Sequence, residues 1–203
     1  MAKKNTKKNA KKRRIRRRRI TIAAVFAVLV LIAGYVFLFG GPAYRDRSDP
    51  VATVTLSGGK KMLIELFPLD APESVGAFID LAQQGYYDGL TLNTENGCLL
   101  ISGKPVDFGI RGEFPDNGIN NPNTHGRGAV GLSRLTAYDS ADGGFYLMLS
   151  DSPWLDGANA VFGNVVKGME YADKIASGDM KPVIESIRVD TKGRAYGYEK
   201  YAK

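Results

Sequence analysis

Residues 20–39, ITIAAVFAVLVLIAGYVFLF, run for 20 positions without a charge. As a helix rising 1.5 Å per residue, such a run spans ~30 Å, the hydrocarbon thickness of a bilayer. It divides the chain, because the segments on its two sides have to fold separately. A secretory leader has a shorter apolar core of ~7–15 residues that ends at a small-x-small site. Here the run is longer and is followed by Gly40-Gly41-Pro42-Ala43-Tyr44, a poor cleavage site. The pattern predicts an uncleaved single-pass transmembrane helix over 20–39.

Charge is distributed around that run very unevenly. Residues 1–19 hold 12 Lys and Arg and no acid, whereas the remaining 184 residues hold 16 basic and 21 acidic ones. The overall +7 therefore belongs to the tail, and the rest of the chain is acidic. A basic composition is no reason to send the domain to nucleic acid, and none is expected as a partner. The Lys/Arg bias predicts a cytoplasmic N-terminus, its basic tail lying on anionic lipid, and an extracytoplasmic domain. The single cysteine, Cys98, rules out an intrachain disulfide. It reads as a small buried hydrophobe, with a reactive thiol as the minor alternative.

Residues 40–50, GGPAYRDRSDP, form a linker. Val51 to Leu56 and Lys61 to Phe67 are β-rich runs separated by Ser57-Gly58-Gly59, the pattern of a hairpin. A helix is predicted from Asp70, with Glu73 as its capping-box partner and Pro72 in the first turn; Gly85 ends it. Val75, Phe78, Ile79 and Ala82 give it one apolar face. Short apolar runs follow at 98–101, 129–132, 145–149 and 160–162. A second helix fits 168–177 and a last strand 183–189, and residues 190–203 read as a loose, Tyr-bearing tail. Two helices and many short strands predict an all-β fold, a closed barrel capped by helices.

Three collinear stretches carry a resemblance: IELFPLDAPESVGAFIDLAQQGYYDGLTL at 64–92, RGAVGLSR at 127–134 with GGFYLML at 143–149, and WLDGANAVFGNVVKGMEYADKI at 154–175. Together they resemble the cyclophilins, the peptidyl-prolyl cis-trans isomerases, across residues 51–189. The resemblance implies an eight-stranded antiparallel β-barrel closed by two helices, with Pro-containing polypeptides as substrates and no cofactor or metal.

The residues also depart from that family. After Gly-Leu-Thr the family carries Phe-His-Arg, and the Arg is its main catalytic residue; here the corresponding residues are Leu92, Asn93 and Thr94. A prolyl amide rotates over ~18–20 kcal/mol. A fixed cationic donor near the prolyl nitrogen accelerates that rotation because it stabilises the twisted amide more than the planar one. The neutral, short Thr94 lacks both the charge and the reach. By resemblance the peptide-binding positions are Leu99, Leu100, Ser102, Ser133, Tyr146, Trp154, Leu155 and Asn159, with Gly144 where the family has Gln. Arg134 is the candidate substitute cation. His125, in the turn-rich NPNTHGRG, reads as a solvated loop histidine. Two functions follow: a prolyl isomerase with weak or lost catalysis, or a non-catalytic peptide-binding chaperone or cell-envelope assembly partner. The sequence carries no signal of oligomeric state.

Overall fold

The computed structural model describes residues 48–104 and 106–202. The basic tail, the apolar run 20–39 and most of the linker lie outside the described residues. Among the described residues, no helix is long and apolar enough to cross a membrane.

Eight antiparallel strands make one sheet: β1 (Val51–Leu56), β2 (Lys60–Leu66), β3 (Asn93–Glu95), β4 (Cys98–Ile101), β6 (Ala129–Leu132), β7 (Phe145–Met148), β8 (Val161–Lys167) and β9 (Ile184–Asp190). Their spatial order is β3-β4-β7-β6-β8-β2-β1-β9. The first hairpin forms as its pattern predicts: β1 reads half-buried, buried in strict alternation, and Val51 to Leu56 pair with Glu65 to Lys60. Register shifts at Thr55/Leu56, Leu63/Ile64 and Val130/Gly131 bend the sheet. The result is a curled sheet and not the closed barrel the sequence predicts, because edge strands β3 and β9 share no ladder. The seam is bridged by residues ahead of β3 and at the start of β9. Gly89 N–H donates to the Ile184 carbonyl at 2.7 Å, and Ile184 N–H donates to the Leu90 carbonyl at 2.8 Å. Thr91 pairs with Val183.

Helix α1 (Pro72–Gln83) packs its buried side chains into the core of the sheet, and α2 (Met169–Ala176) follows β8. Phe78 of α1 is fully buried. Its ring centroid lies 5.3 Å from Tyr87, 5.4 Å from Phe145 and 5.2 Å from Phe162. Burial of one such side chain stabilises by roughly 1.5–3 kcal/mol, and tilted or edge-on ring pairs add to that.

Two expectations about α1 and the tail fail, for one connected reason. The helix has Ala71 at its N-cap with no side-chain cap, so the Asp70–Glu73 capping box does not form. Glu113, 40 residues away, takes its place. Its carboxylate accepts Glu73 N–H at 2.9 Å, Ser74 N–H at 2.8 Å and the Ser74 hydroxyl at 2.7 Å. A tertiary contact thus satisfies the orphan donors that local sequence leaves open. The second failure is the loose tail. Residues 191–202 run as a strap over the outer side of α1, so the helix is buried on more than its apolar face. Tyr198 O–H donates to Asp80 at 3.0 Å, and Glu199 N–H donates to Glu73 at 2.6 Å. β10 (Tyr201–Ala202) then pairs with β5 (Phe108–Gly109). The strap crosses so closely that a Cβ on Gly76 would lie 2.3 Å from the Gly197 carbonyl oxygen.

Gly76→Ala should therefore lower the stability of the full chain, although Ala favours a helix interior by roughly 1 kcal/mol over Gly. In a chain ending at Asp190 the same substitution should become stabilising. Denaturant unfolding of the four chains checks this. In the same assay Glu113→Ala should cost about 1–3 kcal/mol, because buried N–H donors lose their acceptor.

Candidate functional site

Period-two alternation decides what faces outward on β4 and β7. Leu99 and Ile101 point into the main core, whereas Cys98 and Leu100 point away from it. The register pairs Leu100 with Tyr146 and Cys98 with Met148, so these four share the outer face. The 3-10 turn Pro153–Leu155 brings Trp154 and Leu155 up beside them. A groove of about 610 Å³ results, lined by Glu95, Asn96, Cys98, Leu100, Tyr146, Met148, Trp154, Leu155 and Asn159.

Five of the eight expected positions meet there: Leu100, Tyr146, Trp154, Leu155 and Asn159. Three do not. Leu99 is 0% exposed inside the main core, because adjacent strand residues face opposite ways and Leu100 already takes the outer side. Ser102 lies past the end of β4 and is exposed. Ser133 is not among the lining residues; its N–H donates to the Gly144 carbonyl at 2.9 Å.

Thr94 does not face the groove either. Asn96 and Gly97 have φ of 46° and 79°, the two left-handed residues of a tight hairpin turn. That turn sets Glu95 opposite Cys98, Thr94 opposite Leu99 and Asn93 opposite Leu100. Thr94 therefore shares the face of core residue Leu99, and Glu95 shares the face of groove residue Cys98. Among the described residues lining the groove, Glu95 alone is charged.

Arg134 is no substitute. Its Nε and Nη2 donate to the Ala158 carbonyl at 3.2 and 2.8 Å. Its Nη1 donates to the carbonyls of Leu135 and Thr136 at 2.9 and 3.2 Å. The guanidinium also lies 5.2 Å from the Phe114 ring centroid and 5.5 Å from that of Tyr138. It clamps two loops and is not among the lining residues. Cys98 is half-buried on the groove wall, not a core hydrophobe. Burial first, and then Glu95, push its thiol up, away from the reactive thiolate.

The largest surprise is His125. It is 1% exposed, not a solvated loop residue. Its Nδ1 lies 2.8 Å from Asp156 Oδ1, and its Nε2 lies 2.8 Å from the Tyr146 hydroxyl. The carboxylate can only accept, so Nδ1 carries the proton and the tyrosine O–H donates to Nε2. Asp156 Oδ1 also accepts the His125 backbone N–H at 2.7 Å. Burial lowers the His125 pKa, although the Asp156 hydrogen bond and charge oppose that shift. Burial acts to raise the Asp156 carboxyl, but the His125 hydrogen bonds and charge together hold it below the usual range. The phenol needs room, and Gly131 provides it: a Cβ there would stand 2.3 Å from the Tyr146 oxygen. The chain Asp156–His125–Tyr146 thus pins the ring that floors the groove.

Sequence reasoning missed Glu95, Asn96, Cys98 and Met148. Counting by twos from Leu100 and Tyr146 reaches Cys98 and Met148. Reading Asn96-Gly97 as a two-residue hairpin turn places Glu95 opposite Cys98. No local signal joins His125 to Asp156, 31 residues away.

A curled sheet of eight antiparallel strands with two helices and an apolar groove on its outer face defines the class. Residues 51–192 match the family described as cyclophilin type peptidyl-prolyl cis-trans isomerase/CLD. A peptidyl-prolyl cis-trans isomerase of Helicobacter pylori (strain ATCC 700392 / 26695) is 35% identical over 144 residues, spanning 67% of this chain and 84% of the relative. Peptidyl-prolyl cis-trans isomerase B of Bacillus subtilis (strain 168) is 34% identical over 141 residues, 66% of this chain and 94% of the relative. The fold is also that of a Cryptosporidium parvum cyclophilin type isomerase crystallised in the presence of the dipeptide Ala-Pro. That match has a TM-score of 0.56 at 17% identity, covering 69% of this chain and 98% of the other. The chain belongs to the cyclophilin-type peptidyl-prolyl isomerase family.

Because the native His125 pKa is lowered, its contribution to stability is fully present above the ordinary value of ~6.5 and is lost as pH falls through the lowered one. The stability gap between the native chain and His125→Gln should therefore narrow between pH 7 and pH 5 in urea titrations. Tyr146→Phe at pH 7 should cost about 1–3 kcal/mol, since it leaves buried Nε2 without a donor.

Proposed function

We propose that this chain is a peptide-holding member of the cyclophilin family, one that seats Pro-containing segments but twists the prolyl bond slowly or not at all. One observation carries the reading. The position where the family resemblance implies the catalytic Arg is Thr94, which shares the face of Leu99, and the one charge lining the groove among the described residues is the anionic Glu95. Differential stabilisation of a twisted amide needs a fixed donor near the prolyl nitrogen. Among the described residues, none of the lining side chains is a cation. The apolar half of the site remains. Leu100, Tyr146, Met148 and Leu155 form a floor for a proline ring, and the Ala-Pro dipeptide present with the Cryptosporidium relative supports a proline-bearing ligand. By this reading the ligand is an unfolded or newly exported polypeptide, or a partner in cell-envelope assembly.

The proposal extends to location. The 20-residue uncharged run and the 12 basic residues before it support a single-pass anchor, with the domain on the extracytoplasmic side. Protease added to intact spheroplasts carrying the full chain should remove the domain. Protection until lysis would refute that topology.

The catalytic proposal is tested with a prolyl-isomerisation assay on the full-length chain. The rate should stay close to the uncatalysed one, and Thr94→Arg should not raise it, because that position is on the wrong face of the hairpin. Strong acceleration by the unaltered chain would return it to the ordinary isomerases.

A further inference from the structure

The groove has a sign. Its floor is apolar, built from Leu100, Tyr146 and Leu155, and among the described residues its one charged lining residue is Glu95 at the tip of the β3–β4 hairpin. Nearby cations are occupied elsewhere: Arg134 by the Ala158 carbonyl and two aromatic rings, and Arg127 by Asp173 through two hydrogen bonds of 2.8 Å. Asp156, the next residue after Leu155, is held in its charged form by His125. The second feature is Trp154. It lines the same groove, yet it is 71% exposed, an unusual position for so large an apolar surface. An exposed indole face attracts a cation through its quadrupole, and a carboxylate attracts one by charge. Both features on one groove favour the same ligand chemistry.

Resting on the proposed peptide-holding role, we propose that the groove selects extended peptides in which the residue seated on the apolar floor is flanked by Lys or Arg. The flanking cation pairs with Glu95 and lies against Trp154. This is the reverse of a groove that presents a guanidinium to its ligand. Here the ligand supplies the positive charge and the protein the negative one. A polypeptide with acidic residues beside the proline is disfavoured by repulsion from Glu95.

The test titrates the full-length chain with capped peptides Ala-Xaa-Pro-Ala and Ala-Pro-Xaa-Ala, where Xaa is Lys, Gln or Glu. Trp154 is the only Trp in the chain, so its fluorescence reports the groove. In at least one series the Lys peptide should bind two- to tenfold tighter than the Gln peptide, the ordinary range for an exposed ion pair reinforced by an aromatic face. The Glu peptide should bind weakest. Raising the salt should compress the differences. Glu95→Gln should abolish the preference for the Lys peptide over the Gln peptide, and Glu95→Lys should invert the order. If Lys and Gln peptides bind equally well, the charge preference is wrong and the peptide-holding role stands. A Lys preference that persists in Glu95→Gln equally overturns the assignment to Glu95. If no peptide perturbs Trp154, both the preference and the peptide-holding role fall.

Discussion

Phe78 is the contact on which the rest of the domain is arranged. The inward side chains of the curled sheet form one core with α1, and this ring, carried in on α1, meets Tyr87, Phe145 and Phe162 at once. Its partners come from the loop after the helix, from β7 and from β8, so one side chain couples distant parts of the chain. The helix has to be held in place for that contact to persist. Its N-terminal amides are satisfied by Glu113 from a distant loop, and its outer side is covered by the C-terminal strap. The strap continues past residue 192, where the family match ends.

The same sheet makes two apolar clusters. Inward residues of β4 and β7 join the core around Phe78, and the outward Tyr146 and Met148 of β7 form a second cluster with Ala129 of β6 and Val161 of β8, flanked by Cys98, Leu100 and Leu155. β7 is consequently buried on both faces, Phe145 to Met148 without interruption. Since neighbours along a strand alternate, the groove and the core compete for positions on β4. Leu100 goes to one and Leu99 to the other. The Asn96-Gly97 turn then fixes which residues of β3 accompany each. A one-residue difference in register separates a groove that presents residue 94 from one that presents residue 95.

Beneath the groove lies a buried polar chain in a place otherwise filled by hydrocarbon. A phenol on the floor brings a hydroxyl that has to be satisfied. His125 satisfies it, Asp156 orients His125, and the absence of a side chain on Gly131 leaves space for it. Tyr146 is therefore held at both its ring and its oxygen, and the groove floor is a preorganised surface. Preorganisation of this kind favours binding of an extended segment, because less ordering remains to be done when the ligand arrives.

Local sequence determined the elements. Alternating residues in 51–66 specify the first hairpin, the spacing of Val75, Phe78, Ile79 and Ala82 specifies α1, and the collinear runs at 64–92, 127–149 and 154–175 carry the family. Those signals are short-range, since propensity, periodicity and turn chemistry act within a few residues. The absence of an Arg at position 94 is likewise a fact of sequence. Tertiary structure alone decided the facts that depend on long-range contact. These are the capping of α1 by Glu113, the strap over Gly76, the seam that stays without a ladder, the burial of Leu99, and the union of His125 with Asp156 and Tyr146. Each joins residues 21 or more positions apart or turns on strand register. Hydrogen bonds and packing at such separations depend on the path of the whole chain, and no local pattern encodes it. The chemistry available to the groove was written in residue types, but its sign was decided by which face of a three-residue strand Glu95 occupies.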